Sequence, residues 1–355
     1  MKKHNFSAGP CILPQDVIQK ASEAVINFNN DNLSLIEISH RSKPFVEVME
    51  EARNLVKELL ELPNGYSVLF LQGGASLEFL MVPLNLMKEK DGKAAYTKTG
   101  AWAKKSITEA KKFGEVIVVG DSSDKNYNYI PKGYKIPLDV DYFHCTSNNT
   151  IFGTQMKEFP EVPSLMVCDM SSDIFSRKID VSKFDLIYAG AQKNMGPAGT
   201  TLVIVKDEIL GRTGRKISTM LDYNTHISKN SMFNTPPVFS IYVSMLTLQW
   251  LKDHGGIQWI EKVNNQKAEL LYNEIDRNPL FEGVAKQEDR SNMNVTFTLT
   301  DSTLEETFNQ MWNGAGISGL NGHRSVGGYR ASIYNAMPIE SVQVLVDIMK
   351  NLENI

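Results

Sequence analysis

Cysteine is scarce in this chain. Cys11, Cys145 and Cys168 are its only cysteines among 355 residues, an odd number spaced too widely for a disulfide framework or a CxxC redox or metal pair. Histidine is nearly as rare, six in all, and the six are scattered. With no HExxH, EF-hand or GxxxxGK[ST] pattern, metal chemistry and nucleotide-phosphate binding find no support. Long apolar runs are missing too: stretches such as 68–71 and 202–205 fall far short of the roughly 18 residues of a membrane span and suit buried strands. The basic start, Met1-Lys2-Lys3, meets Gly9-Pro10 and Pro14 before any apolar signal-peptide core forms. Nor does one sign of charge dominate. Lys+Arg number 37 against 41 Asp+Glu, a net charge of −4, which leaves no electrostatic footprint for nucleic acid. These absences point to a soluble protein of a reducing, cytoplasmic compartment, with no nucleic-acid or membrane partner.

What is present reads as an α/β protein. Hydrophobic residues at 42% and charged residues at 22% are globular proportions, and the length corresponds to about two domains. Residues 15–28 and 45–62 carry helical apolar spacing. After the break at Pro63-Asn64-Gly65, strand 67–71 runs into Gly73-Gly74, with a helix expected from about Ser76. Strands follow at 92–97, 115–119, 142–146, 164–169, 186–189 and 200–205, with helical stretches such as 102–113 between them. That rhythm predicts a mostly parallel sheet between helices. After a long helical passage over 237–278, strand 294–299 and helix 304–312 indicate a smaller α+β domain. The expected division is an N-terminal arm, 1–15, a large domain, 16–256, and a small C-terminal domain, 257–355, parted near Gly255-Gly256.

The chemistry gathers at strand ends. Met166-Val167-Cys168-Asp169 and Asp185-Leu186-Ile187-Tyr188-Ala189-Gly190-Ala191-Gln192-Lys193 are apolar strands that each run into a polar group. In an open α/β sheet ligands bind beyond the carboxyl ends of strands, so Asp169 and Lys193 should share one crevice. A desolvated lysine can form a Schiff base, and an ionised acid can keep a pyridinium nitrogen protonated. An ordinary surface lysine and a helix-capping aspartate are the plainer alternative for either residue alone. Gln72-Gly73-Gly74-Ala75-Ser76 can cradle a phosphate on backbone N–H groups, or serve as a tight turn with a serine cap. Trp102 can lay its indole on a planar ring or belong to the core. His40-Arg41 and His323-Arg324, with Arg330, repeat a cationic motif suited to two anionic groups on one substrate. Gly314-Ala315-Gly316-Ile317-Ser318-Gly319 matches GxGxxG but lacks the βαβ context of a dinucleotide site.

Together Asn5-Phe6-Ser7-Ala8-Gly9-Pro10, Ser39-His40-Arg41-Ser42, Phe70-Leu71-Gln72-Gly73-Gly74-Ala75-Ser76, Asn148-Asn149-Thr150-Ile151-Phe152-Gly153, Ala189-Gly190-Ala191-Gln192-Lys193-Asn194 and Gly322-His323-Arg324 resemble the phosphoserine branch of the class V aminotransferases, over nearly the whole chain. The resemblance implies a fold type I enzyme using pyridoxal 5'-phosphate, with a seven-stranded large-domain sheet, working as a homodimer whose active sites draw on both subunits. It implies that Lys193 is the Schiff-base lysine, Asp169 the partner of the pyridinium nitrogen, Trp102 the stacking ring and Thr150 the bond to the ring hydroxyl oxygen. Ala75, Ser76 and Gln192 would hold the cofactor phosphate, joined by Asn234 and Thr235 of the neighbouring subunit. Arg330 would take the substrate carboxylate, beside Arg324. His40, Arg41 and His323 would take the distal phosphate or side-chain carboxylate. Some members carry an arginine where this chain has Ser76, which moves weight onto Arg41 and His323-Arg324. The implied reaction passes the amino group from L-glutamate to 3-phosphohydroxypyruvate, giving O-phospho-L-serine and 2-oxoglutarate in serine biosynthesis, with a second role in pyridoxine biosynthesis also implied.

Within the class, a cysteine desulfurase needs a cysteine after the lysine, and none follows Cys168. Alanine– or serine–glyoxylate aminotransferases have little use for paired His-Arg elements. A cofactor-free Schiff-base aldolase or a non-catalytic anion-binding protein are the readings outside it.

Overall fold

In a computed structural model, which describes residues 3–324 and 326–354, both faces of the central sheet are covered. The strand sequences give the reason. A short β1 (His4–Asn5) leads into α1 (Gln15–Ile26) and α2 (Lys43–Leu59), followed by β2 (Tyr66–Leu71), α3 (Gly74–Leu86), β3 (Lys93–Lys98), α4 (Ala101–Ala110) and β4 (Glu115–Asp121). Next come β5 (Tyr142–Thr146), the small ribbon β6 (Asn148–Asn149) and β7 (Thr154–Gln155), then β8 (Leu165–Asp169), β9 (Leu186–Gly190) and β10 (Thr201–Lys206). Seven of these strands form one sheet in the order β2-β10-β9-β8-β5-β3-β4. Only β10 runs against its neighbours, so the expectation of a mostly parallel α/β sheet holds.

Alternate side chains of each strand go to opposite faces. Val68, Phe70, Phe143, Met166 and Ile187 pack against Phe45, Met49 and Leu55 of α2. Leu69, Leu71, Tyr142, Val167, Leu186 and Tyr188 pack against Phe79 and Val82 of α3 and Ile107 of α4. A strand buried on both sides has no polar side, which is why these segments read as continuous apolar runs. Cys145 and Cys168 face one another across β5 and β8, both free, with sulfurs 3.6 Å apart.

The helical passage over 237–278 is two helices with a break between. Beyond α5 (Tyr223–Ser228), α6 (Val238–Asp253) is followed by Gly255, whose φ of 105° turns the chain into α7 (Gly256–Arg277). Helix α7 gives Ile260 to the first core and Ala268, Leu271 and Ile275 to a second. That second core lies on a three-stranded sheet, β11 (Phe281–Gly283), β12 (Asn294–Leu299) and β14 (Tyr329–Ser332), covered by α8 (Glu305–Gly314) and α9 (Ile339–Leu352). Phe6 and Ile12 of the N-terminal arm are buried in it, and β1 pairs in parallel with β13 (Ile317–Ser318). The GxGxxG match therefore spans the end of α8 and a short strand paired with the arm, with no βαβ unit around it.

Helix α3 opens at Gly74, earlier than the sequence indicated. Ser76 lies exposed inside the first turn, and Gly73 occupies the cap with φ 94°. A Cβ at Gly73 would come within 2.5 Å of the Leu77 side chain, and the left-handed backbone alone is unfavourable for any other residue. Gly73→Ala should therefore lower stability by about 1–3 kcal/mol, measured as a shift in the urea unfolding midpoint; an unchanged midpoint would mean that the turn relaxes.

Candidate active site

Strand order decides which polar groups meet. In the sheet β5, β8 and β9 are adjacent and parallel, so their carboxyl ends open on one crevice. Asp169 is the last residue of β8, opposite Thr146 on one side and Tyr188 on the other. The loop beyond β5 carries Thr150, and the turn beyond β9 carries Lys193. These two meet: Lys193 Nζ donates to Thr150 Oγ1 at 2.7 Å. Trp102, second residue of α4, brings its ring centroid to 5.7 Å from the same Nζ. From the second core, Arg330 of β14 sends Nη1 to the Thr150 carbonyl at 3.4 Å. Five of the candidate residues, from four elements of the large sheet side and one of the small sheet, thus form a single group.

Burial sets the electrostatics. It pulls the Lys193 amine down to about 8; Asp169 opposes that shift, Arg330 adds to it and Asp173 opposes it. The chief cause is loss of water around the ammonium. Asp169 is moved the other way: burial raises its pKa, while the Ser171 hydroxyl and the Lys193 charge pull it back. One carboxylate oxygen is already engaged, accepting from Ser171 Oγ at 2.6 Å and Ser171 N at 2.9 Å. Ser171 Oγ in turn accepts from Gly190 N at 3.1 Å, which ties the acid to the neighbouring strand end and fixes its direction.

A second feature is a convergence of positive charge. Burial, joined by the charges of Arg330, Arg324 and Lys105, holds the His323 imidazole below the ordinary range. Lys105 was not singled out from the sequence. It lies three residues after Trp102 on α4, with Nζ 4.3 Å from the centre of that ring. The (i, i+3) spacing from Trp102 is the signal that could have found it. Among the described residues, Trp102 Nε1 and Arg330 Nε are buried without a partner, so this corner holds two donors that an incoming anion or ring substituent could satisfy.

The other candidates stand apart from this group. Ala75, half-buried, and Ser76, exposed, lie in the first turn of α3 beyond the end of β2. β2 is two strands from β9, about 10 Å at ordinary strand spacing. Gln192, next to Lys193 in the turn beyond β9, is half-buried, its side chain folded over Gly190. Asn234 and Thr235 sit against Gln72, whose Nε2 donates to the Thr235 carbonyl at 2.9 Å. His40 is half-buried and Arg41 exposed, in a turn whose hydrogen bonds run to Ser39. Among the described residues no hydrogen bond or ion pair joins either pair to the Lys193 group.

The N-terminal arm was also missed as part of the site. Cys11 N donates to Gln192 O at 3.1 Å, and its thiol donates to the Lys193 carbonyl. A Cβ at Gly9 would come within 3.3 Å of the Lys193 side chain. Burial pushes the Cys11 thiol up to about 12, so the sulfur acts as a hydrogen-bond donor beneath the lysine and not as a nucleophile. No group of three or more metal-ligating side chains occurs among the described residues.

Comparison with known proteins accords with this geometry. The family model for aminotransferase class V matches residues 3–345. Over 355 residues the chain is 70% identical to the phosphoserine aminotransferase of Flavobacterium psychrophilum, covering 100% of this chain and 99% of that one. The solved phosphoserine aminotransferase from Bacillus circulans subsp. alkalophilus shares the fold with a TM-score of 0.96 at 42% identity, over 99% of both chains. A PLP-bound phosphoserine aminotransferase from Trichomonas vaginalis gives a TM-score of 0.93 at 36% identity, covering 98% of this chain and 100% of that one.

The electrostatics make a signed prediction. In the ligand-free chain, the rate at which a small aldehyde is reductively trapped on Lys193, followed by mass spectrometry of that peptide, should rise with pH through a midpoint at about 8, because only the neutral amine attacks. Asp169→Asn removes the anion that supports the ammonium and should move the midpoint down. Arg330→Ala removes a repelling cation and should move it up. Midpoints that do not separate in this order would mean that these two charges do not govern the amine.

Proposed function

The chain belongs to the class V aminotransferase family, and from that premise we propose that it catalyses the phosphoserine aminotransferase reaction. It transfers the amino group of L-glutamate to 3-phosphohydroxypyruvate, forming O-phospho-L-serine and 2-oxoglutarate, with pyridoxal 5'-phosphate as cofactor on a type I fold. The observation that carries this reading is the desolvated Lys193 amine beside a buried acid at the next strand end, under a corner where the charges of Arg330, Arg324 and Lys105 act on His323. A Schiff-base aldolase has no use for an acid placed under a ring nitrogen or for an aromatic face.

When bound, pyridoxal phosphate supplies an aldehyde that takes an amine and a protonated ring that draws electron density from the substrate α-carbon. The residues present suit that group. Lys193 is the amine that would hold it, and once displaced by substrate it carries the proton to and from the α-carbon, a role that needs a pKa near the working pH. Asp169, fixed by Ser171, would keep a proton on the ring nitrogen. Thr150, hydrogen-bonded to the amine, and Trp102, whose ring lies beside it, would help to hold the ring. Ala75 and Ser76 offer the N-terminal turn of α3 to the cofactor phosphate, helped by Gln192. Arg330 takes the α-carboxylate as a planar fork. Arg324, His323 and Lys105 supply positive potential for the second anionic group of either substrate.

In this reading the enzyme is a cytoplasmic homodimer, each chain divided into an arm, a 16–256 unit and a 257–355 unit. His40 and Arg41, with Asn234 and Thr235, then serve the partner's site. Support comes from the surface beside them. Leu33 and Ile36, 51% and 62% exposed, precede His40, and Phe233 and Phe239, 38% and 37% exposed, bracket Asn234 and Thr235. Large apolar side chains left in water next to both pairs are what a second copy would cover. No helix among the described residues is long and apolar enough to cross a membrane.

The test follows the visible absorbance of the cofactor-loaded protein. L-Glutamate should change it and 3-phosphohydroxypyruvate should restore it, while Lys193→Ala should do neither. O-Phosphoserine should exceed alanine as amino donor by at least about a hundredfold, the scale set by buried cations left unpaired with the smaller donor. Equal rates with the two donors would remove the phosphoserine assignment while leaving the family intact.

A further inference from the structure

Arg330 and Lys193 sit on different sheets, yet a substrate whose carboxylate is held by one must present its α-carbon to the other. We propose that a buried asparagine relay, Asn194–Asn335–Asn264, sets the position of Arg330 relative to Lys193, so that Asn335 is a positioning residue for carboxylate recognition. The inference rests on the assignment of Arg330 as the carboxylate fork.

The relay begins at the residue after Lys193. Asn194 Oδ1 accepts from Asn335 N at 2.9 Å, and its Nδ2 donates to the Ile174 carbonyl. Asn335 Nδ2 donates to Phe175 O at 2.9 Å, and its Oδ1 accepts from Asn264 Nδ2 at 2.8 Å. Asn264 Nδ2 also reaches Ser176 O at 3.1 Å. Backbone groups, which are donors or acceptors only, fix the orientation of each amide. A backbone N–H can face only the oxygen of Asn194, and a backbone carbonyl only the nitrogen of Asn335. All three asparagines are buried. One amide thus ties together the turn after Lys193, the turn after Asp169 and the segment leaving β14.

That segment is held at each step. Four residues separate Asn335 from Arg330. Between them, the Ile333 and Tyr334 carbonyls accept from the Lys267 amine at 3.0 and 2.7 Å, and Lys267 is fully buried on α7, one turn from Asn264. Tyr334 OH donates to Ala8 O at 2.8 Å, beside the arm that lies under Lys193. Other contacts also join the two sheets, such as Thr296 Oγ1 to Phe152 O at 3.0 Å. The relay differs from them in ending on the neighbour of the reactive lysine. Asn194, Asn335 and Asn264 each spend their amide nitrogen on the turn after Asp169, at the Ile174, Phe175 and Ser176 carbonyls, and the Asn194 oxygen takes the Asn335 N–H.

A double-mutant cycle on the cofactor-loaded protein tests it, reading the dissociation constant of glutarate, an unreactive dicarboxylate, by calorimetric titration, with cofactor content and unfolding midpoint recorded alongside. Arg330→Ala should weaken glutarate. Asn335→Ala, which removes the bonds to Phe175 O and Asn264 while its N–H stays on Asn194, should weaken it about tenfold, the scale expected of a misplacement well under an ångström to one ångström, and should add less than about twofold in the Arg330→Ala background. Losses that multiply, or an Asn335→Ala affinity equal to wild type, overturn the proposal, because a merely structural role would lower the unfolding midpoint without coupling to Arg330. If Arg330→Ala leaves binding unchanged, the carboxylate assignment falls first and takes this inference with it; if Arg330→Ala weakens binding and Asn335→Ala does not, this inference alone falls. Should Asn335→Ala fail to fold, Asn264→Ala, which withdraws one donor from the Asn335 amide oxygen, enters the same cycle under the same criteria.

Discussion

Loss of water around one amine is the constraint on which the rest of the structure depends. An ammonium ion at the end of a buried strand is costly unless something nearby supports it, and the structure supports Lys193 only partly. Asp169 and Asp173 act in its favour, Arg330 acts against it, and the balance leaves its pKa near 8. A full ion pair would have locked the charge in place, and an apolar pocket would have removed the proton altogether. What results is an amine that can hold or release a proton near neutral pH, the property a nucleophile and proton carrier needs.

The sheet order supplies that balance without long-range adjustment. Because β8 lies between β5 and β9, the acid of one strand end, the hydroxyl beyond another and the lysine beyond the third arrive together from segments far apart in sequence. Each is held from behind. Ser171 and Gly190 steady Asp169, the Cys11 thiol caps the carbonyl of Lys193, and the Asn194 amide is spent on neighbouring turns. Rigid support behind reacting groups is what lets a site keep its geometry when the substrate changes between half-reactions.

Positive charge is organised separately, on the side of the second core. Arg330 lies on β14 and His323 and Arg324 in the segment before it, while Lys105 approaches from α4 across the crevice. The Arg330, Arg324 and His323 side chains and the Lys193 amine therefore belong to different layers of the molecule. The hydrogen-bonded segment from Ile333 to Asn335 joins those layers through Asn194, the residue after the lysine, beside the direct bond of Arg330 to the Thr150 carbonyl.

Much of this was legible in the sequence, for a local reason. Strands buried on both faces must be continuously apolar, so the seven strands of the large sheet and the polar residues at their ends, Asp169 and Lys193 foremost, could be read from short windows. Ordered motifs such as Ala189–Asn194 and Gly322–Arg324 carried the family resemblance for the same reason. The break between α6 and α7 was blurred, because a glycine pair interrupts a helical pattern without changing its composition, and α3 began at Gly74 since its left-handed cap, not Ser76, stops the strand. The parts the sequence could not supply are contacts between distant segments. Nothing near Cys11 announces that its thiol lies under Lys193, nothing near Lys105 announces His323, and Asn335 reads as an ordinary turn residue until its N–H is seen on Asn194. Periodicity and composition encode which groups a segment buries; which buried groups then meet is decided only when the sheet order and the two cores bring their carbonyls and amides within hydrogen-bonding distance.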